Sequence, residues 1–158
     1  MGWFIVATAV LPDSRVQVWE VQTTGHFRTR WKLTADPNSQ WTGWSDFNVT
    51  GITTGVQLQD VTAGSLSDGR PQLWAIDDTW HIYTSWKLTT DPKSLWNNWI
   101  PFPTPGIPSG TQFFSVSAVP LPDKRLQLFI MDGSNVIWTS WKTTTDSKSA
   151  WTNFSQFV

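Results

Sequence analysis

The phrase TRWKLTADPNSQW, from Thr29 to Trp41, returns as TSWKLTTDPKSLW from Thr84 to Trp96 and as TSWKTTTDSKSAW from Thr139 to Trp151, each time 55 residues on. The register extends beyond the phrase. Leu11, Leu66 and Leu121, Arg15, Arg70 and Arg125, and Phe47, Phe102 and Phe157 keep the same interval with no insertion or deletion. A fixed period of this length constrains the fold more than any other feature. Each copy must be one supersecondary unit that buries its apolar side against a neighbour.

Each copy reads as four short strands. The first, Phe4–Leu11 or Phe114–Leu121, is rich in small and β-branched residues. The turns PDSR, SDGR and PDKR follow, with Asp and one Gly supplying turn chemistry. The second strand is RVQVWEV, RPQLWAI or RLQLFIM, and Pro71 is expected at an end or edge because it has no N–H to donate. After the turns QTTG, DDTW and DGSN the third strand alternates, Phe27, Thr29 and Trp31 one way, Arg28, Arg30 and Lys32 the other. A polar loop then leads to a fourth strand running from Trp41, Trp96 or Trp151 to the closing Phe. NVTGITTG and PTPGIPSG are linkers, and helical periodicity is absent.

Four antiparallel strands per unit with short linkers predict an all-β chain, a β-propeller of four-stranded antiparallel blades. A β-sandwich does not require near-identical units, and trefoil repeats are usually shorter. The chain is expected to be a single domain, 1–158, of three tandem blades at about 3–47, 57–102 and 112–158. It stops seven residues short of three full periods, within the linker, so all three blades are expected to be complete. Propellers typically need four to eight blades. A three-blade arc is expected to leave two apolar blade faces in water, and a homodimer would bury both in a six-bladed ring.

Thirteen Trp and nine Phe accompany only 15% charged residues, the opposite of a disordered composition. A formal net charge of −1 with no basic run gives no reason to expect nucleic acid or an anionic membrane as partner. There is no Cys, which excludes disulfides, thiolate metal sites and cysteine nucleophiles. The opening MGWFIVATAVL lacks a basic n-region and aligns with QLQDVTAGSL and QFFSVSAVPL of the later copies. It is therefore read as a strand, not a signal peptide. No apolar stretch approaches the roughly 20 residues of a transmembrane helix, and localisation stays open.

The segment LSDGRPQLWAIDDTWHIYTSWK, with the later Trp, resembles the repeat DGRLEVFA…LYHKWQ…W.GW of bacterial propeller lectins like the Photorhabdus fucose-binding lectin. More distantly it is similar to tectonin-type and Aleuria-type propellers. The match covers the body of all three repeats. Gln17, Gln72 and Gln127 stand where that family usually has Glu, and Lys32, Lys87 and Lys142 where it has Gln. The resemblance implies a propeller fold and glycan partners, fucose-like or O-methylated sugars, bound at repeated sites between blades.

Sugars are recognised by aromatic faces against their C–H patches and by planar polar groups on their hydroxyls. The triplicated Trp, Arg and Gln residues are candidates for that role. Trp41, Trp96 and Trp151 follow a polar loop at a strand start and are the favoured stacking residues. Trp31, Trp86 and Trp141 share a face with Phe27, Ile82 and Ile137 and are read mainly as core, though retained as candidates. Arg15, Arg70 and Arg125 either pair with the turn Asp or bind ligand. Gln17, Gln72 and Gln127 need partners if buried, from backbone or from a sugar hydroxyl.

Asp36, Asp91 and Asp146 read as Asx-turn residues, and three isolated Asp do not form a metal site. His26 and His81 fit surface turns. No cofactor or metal is expected. Catalysis is not expected either, since both His occupy repeated positions and the sole Glu, Glu20, gives no pair of carboxylates to flank a glycosidic bond. The expected function is multivalent, non-catalytic carbohydrate binding. The alternative is a propeller scaffold for protein–protein interaction. The sequons at Asn48 and Asn153 are short enough to arise by chance.

Overall fold

The computed structural model describes residues 4–158. Residue 3, at which the first blade is expected to begin, lies outside the described residues. Among the described residues twelve strands form three four-stranded antiparallel sheets in simple up-and-down order. Blade 1 comprises β1 (Phe4–Val10), β2 (Val16–Gln22), β3 (Phe27–Trp31) and β4 (Ser45–Asp46). Blade 2 comprises β5 (Leu58–Ser65), β6 (Pro71–Asp77), β7 (Ile82–Trp86) and β8 (Ile100–Pro101). Blade 3 comprises β9 (Phe113–Pro120), β10 (Leu126–Asp132), β11 (Ile137–Trp141) and β12 (Ser155–Gln156). The all-β propeller predicted from the repeat is the architecture found.

Both hairpin turns repeat in backbone conformation as well as in sequence. Ser14, Gly69 and Lys124 take φ of 67, 85 and 68°, and Gly25, Trp80 and Asn135 take 80, 67 and 62°. In the first turn Leu11 N–H donates to Arg15 C=O at 2.7 Å and Ser14 N–H to Leu11 C=O at 2.9 Å. This is the three-residue hairpin loop with a left-handed residue at its end. Pro12 and Pro122 sit at the first corner, where a fixed φ suits the turn. Pro71 opens β6, so its missing donor falls at a strand end.

The fourth strand is much shorter than the sequence suggests, two residues in each blade. The reason is local. Thr42 Oγ1, Asn97 Oδ1 and Thr152 Oγ1 accept the N–H of Trp31, Trp86 and Trp141 at 3.1, 2.6 and 3.2 Å. Side chains thus take over part of the ladder, and Trp41, Trp96 and Trp151 touch it only as isolated bridges to Lys32, Lys87 and Lys142.

Two apolar clusters glue the blades. Blade 1 presents Trp19, Val21 and Phe27 to Val61, Leu73, Ala75 and Trp99 of blade 2. Blade 2 presents Trp74, Ile76 and Ile82 to Val116, Leu128 and Ile130 of blade 3. Covered on both faces, β6 is buried along its whole length. The linkers clasp the outer edge. Thr50 C=O accepts Trp99 N–H at 2.8 Å, and Pro105 C=O accepts Phe154 N–H at 2.7 Å.

The two outer faces of the arc differ, contrary to the expectation that both would be apolar. Blade 3 leaves Val119, Met131, Ile137 and Phe157 exposed. On blade 1, Glu20 and Arg28 replace the buried Ala75 and Tyr83 of blade 2, and they form an ion pair. Arg28 and Arg30 lie 4.4 and 4.6 Å over the ring of Trp44, the counterpart of buried Trp99. Val6 is 56% exposed where its counterpart Val61 is 4%. Blade 1 therefore meets solvent with charge and stacked guanidinium groups.

Asp132 anchors the second turn of blade 3. Its carboxylate accepts Trp138 Nε1–H at 2.9 Å and the N–H groups of Ser134 and Val136 at 2.8 and 3.0 Å. The indole hydrogen bond foremost, and then the two amides, hold its pKa below the usual carboxylate value, against the opposing effect of burial. A depressed native pKa means that the stabilisation is fully present above the unfolded value of about 3.9 and is lost as pH falls through the native one. In urea titrations the stability gap between the parent and Asp132→Asn is expected to narrow below that pH. A gap that is constant with pH contradicts this assignment.

Candidate functional site

The hairpin turn at Leu66–Arg70 and the loop after β11 lie at the same end of neighbouring blades, and a cleft of about 450 Å³ opens between them. Blade 2 supplies Arg70, Gln72, Thr84 and Trp86, and blade 3 supplies Lys142 and Trp151. A second cleft, about 540 Å³, lies between blades 1 and 2. It is lined at the positions 55 residues earlier, by Arg15, Gln17, Thr29 and Trp31 from blade 1 and by Lys87 and Trp96 from blade 2. The repeat thus produces two copies of one site.

The geometry follows from strand alternation. Gln17 pairs with Trp31, Gln72 with Trp86 and Gln127 with Trp141 across the second and third strands, placing each pair on one face. That face runs inward to the core residues Trp19 or Trp74 and outward, at the strand end, into the cleft. Trp31, Trp86 and Trp141, expected mainly as core, are therefore only half buried. Trp31 and Trp86 form cleft wall. The neighbouring blade does not reach far enough along the strand to cover them.

Trp96 and Trp151 also line the clefts, but each has a side committed to packing. Trp96 stands edge-on to Trp19 at 5.7 Å and to Phe47 at 5.1 Å, and Trp151 edge-on to Trp74 at 5.7 Å and Phe102 at 5.5 Å. Trp41, on the open side of blade 1, instead lies beneath Arg30 and Lys32 at 5.2 and 5.8 Å.

The glutamines are held within their own blades. Gln17, Gln72 and Gln127 Nε2 donate to Thr29, Thr84 and Thr139 Oγ1 at 2.9, 2.8 and 2.9 Å. Each threonine hydroxyl donates in turn to a backbone carbonyl of the second strand. With one Nε2 N–H held by the threonine, Oε1 of Gln17 and Gln72 is the acceptor left for a ligand hydroxyl.

Each arginine is tied to its turn. Arg15, Arg70 and Arg125 Nε donate to Asp13, Asp68 and Asp123 at 2.7, 2.8 and 2.7 Å. Arg70 reaches furthest, to Lys87 C=O at 2.9 Å and, across the blade boundary, to Ser147 Oγ at 2.9 Å. The Asp–Arg turn pair is thus present in all three copies; Arg15 and Arg70 border the two clefts, Arg70 with most of its donors used.

The lysine after each central Trp, noted in the sequence as standing where the resembled family has Gln but not as a site candidate, lines both clefts as Lys87 and Lys142. Lys87 and Lys142 are 4% and 5% exposed. Lys87 Nζ donates to Pro92 C=O at 2.6 Å, and Lys142 Nζ to the carbonyls of Ser147 and Ser149 at 2.9 and 3.2 Å. They pin the loop whose Asx turns are closed by Asp36, Asp91 and Asp146 Oδ1, each 2.7 Å from the N–H two residues on. Burial is the main cause pushing both lysine pKa values down. Their triplication directly beside Trp is the sequence signal that could have found them. Thr29 and Thr84 open the repeated phrase, and with Thr139 they are triplicated twelve residues beyond each Gln, the signal that could have tied them to it.

The third set is split between the outer faces, with Arg125, Gln127 and Trp141 on blade 3 and Lys32 and Trp41 on blade 1. Among the described residues no group of three or more His, Asp or Glu is arranged to hold a metal. No helix there is long and apolar enough to cross a membrane.

No protein-family model and no curated protein matches the chain. Solved structures do. The BP39L lectin from Burkholderia pseudomallei is similar over 97% of this chain and 41% of its own, with a TM-score of 0.66 and 18% identity. The fucose-specific lectin from Aleuria aurantia is similar over 96% of this chain and 44% of its own, with a TM-score of 0.53 and 11% identity. A further structure of the Aleuria lectin, described as a six-bladed β-propeller, gives a TM-score of 0.50 at 12% identity. The chain thus spans about two fifths of the length of these proteins, and the likeness is one of fold.

Proposed function

We propose that the chain is a non-catalytic, multivalent carbohydrate-binding propeller in which each inter-blade cleft holds one sugar. The carrying observation is that one aromatic-walled, polar-floored cleft occurs twice, with its Arg, Gln, Thr, Trp and Lys residues 55 positions apart. Trp31 or Trp86 offers the stacking face, the free Oε1 of Gln17 or Gln72 accepts a hydroxyl, and the loop of the next blade closes the far wall. Several such sites on one rigid body raise the apparent affinity for clustered glycans through effective concentration. The resemblance to fucose-binding propellers favours fucose-like or O-methylated sugars. Hydrolysis is disfavoured because Asp46 is, among the described residues, the one carboxylate that lines either cleft, so neither holds the pair needed to flank a glycosidic bond.

Self-association belongs to the same reading. Two copies joined blade 3 to blade 1 would cover Val119, Met131, Ile137 and Phe157. They would also unite Arg125, Gln127 and Trp141 of one copy with Lys32 and Trp41 of the other.

A glycan array is the test. The expected outcome is a set of hits competed away by free monosaccharide, with sedimentation equilibrium giving twice the 17.9 kDa chain mass. Silence across the array would overturn the carbohydrate reading, and a stable monomer at micromolar concentration the ring.

A further inference from the structure

We propose that the cleft between blades 2 and 3 is built for a sugar bearing an anionic group, a carboxylate or a sulfate ester, while the cleft between blades 1 and 2 is not. The inference rests on the carbohydrate-binding reading and deepens it by assigning the two clefts different ligand charge.

The frames are the same and the charges differ. Arg70, Lys142 and Lys148 line the blade 2–3 cleft, and no carboxylate does. The nearby acids are already engaged. Asp68 holds Arg70 through Nε, and Asp146 Oδ1 accepts the N–H of Lys148 at 2.7 Å to close its turn. That leaves Lys142, whose buried ammonium donates only to neutral carbonyls and has no ion-pair partner among the described residues. A buried charge without a counter-charge is costly, and supplying one from the ligand removes part of that cost. Burial is the main cause pushing the lysine pKa down, against an opposing pull from the more distant Asp146 charge. Lys148 stands exposed at the rim, placed to meet the same group.

In the blade 1–2 cleft Lys87 and Lys93 take the corresponding places, but Asp46 lines the cleft as well. Its counterpart in blade 2 is Pro101, which carries no charge. A carboxylate at the mouth repels a second negative charge. This cleft therefore suits the neutral sugar.

Two matched pairs test this, methyl fucoside against its sulfate ester and methyl glucoside against methyl glucuronide, titrated calorimetrically into the whole chain. In at least one pair the charged member is expected to bind about tenfold more tightly in ~20 mM salt, at one site per chain. The preference is expected to shrink to about twofold in ~0.5 M salt as screening sets in. The pair showing the effect tells sulfate from carboxylate.

Lys148→Gln, on an exposed side chain, is expected to cut the preference for the charged member about threefold. Asp46→Asn is expected to raise the count of tight sites for the charged member. Equal affinities within both pairs, or a preference indifferent to salt, overturn the proposal while leaving sugar binding in place. Failure of all four probes to bind overturns the carbohydrate reading itself.

Discussion

Gly106→Ala is expected to destabilise the chain by about 3–5 kcal/mol, enough to unfold a domain of ordinary marginal stability. Gly106 has φ of 96°, and a Cβ placed there would lie 2.3 Å from Phe154 C=O and 3.1 Å from its N. Two costs therefore add. A left-handed backbone strains alanine by about 1–2 kcal/mol, and the linker must move off the hydrogen bond from Phe154 N–H to Pro105 C=O, worth about 1 kcal/mol with further loss of packing. Gly51 repeats the arrangement at the other linker, where a Cβ would fall 2.0 Å from Trp99 C=O.

Two controls separate the costs. Gly110 has φ of 81° with nothing within 4 Å of an added methyl, so Gly110→Ala should show the strain alone. Gly43 has neither the left-handed φ nor a neighbour, so Gly43→Ala should be close to neutral. Urea denaturation of these three variants and of Gly51→Ala would check the ranking. Equal effects at Gly106 and Gly110 would mean that the close approach of linker to blade contributes nothing.

The second large effect is on binding. Trp86→Ala is expected to weaken sugar binding in the blade 2–3 cleft at least about tenfold, or ~1.4 kcal/mol. Its cost to stability should be far below the about 3–5 kcal/mol expected for a buried Trp. Trp74, fully buried on the same face, should show the reverse, a large loss of stability. Trp151→Ala should lose both, because one side of its ring supports Trp74 and Phe102 while it also lines the cleft. Calorimetric titration alongside thermal melts distinguishes the three. Undiminished binding by Trp86→Ala would remove the indole from the ligand site.

These contrasts show where a sequence stops being legible. The 55-residue interval, the turn chemistry at Asp13, Asp68 and Asp123, and the period-two alternation in β3, β7 and β11 are local, and they predict blades, turns and the face on which each side chain lies. Alternation assigns a face but says nothing about how far the neighbouring blade extends along it. Trp19 and Trp31 share a face, yet one is fully buried and the other opens on a cleft.

The fourth strand falls short of its expected length for a related reason. Thr42, Asn97 and Thr152 compete for backbone donors, and that choice is settled by side-chain geometry invisible in a hydropathy pattern. In the sequence Glu20 and Arg28 stand apart, a lone carboxylate and one of several alternating basic residues. Only the cross-strand pairing of β2 with β3 makes them one feature of an outward face.

The middle blade, enclosed on both sides, also sets how the molecule comes apart. In a short row of units that touch only their neighbours, each end unit gives up one interface on opening, while the middle one must give up two. In the single chain, thermal opening therefore enters from the ends of the row, which the proposed ring would close. Each cleft is shared between an end blade and the middle one, so the first excursion away from the native state disables a site before the central sheet loosens. A bound sugar, bridging two units, would then act as a rivet that ties the fraying end to the stable centre.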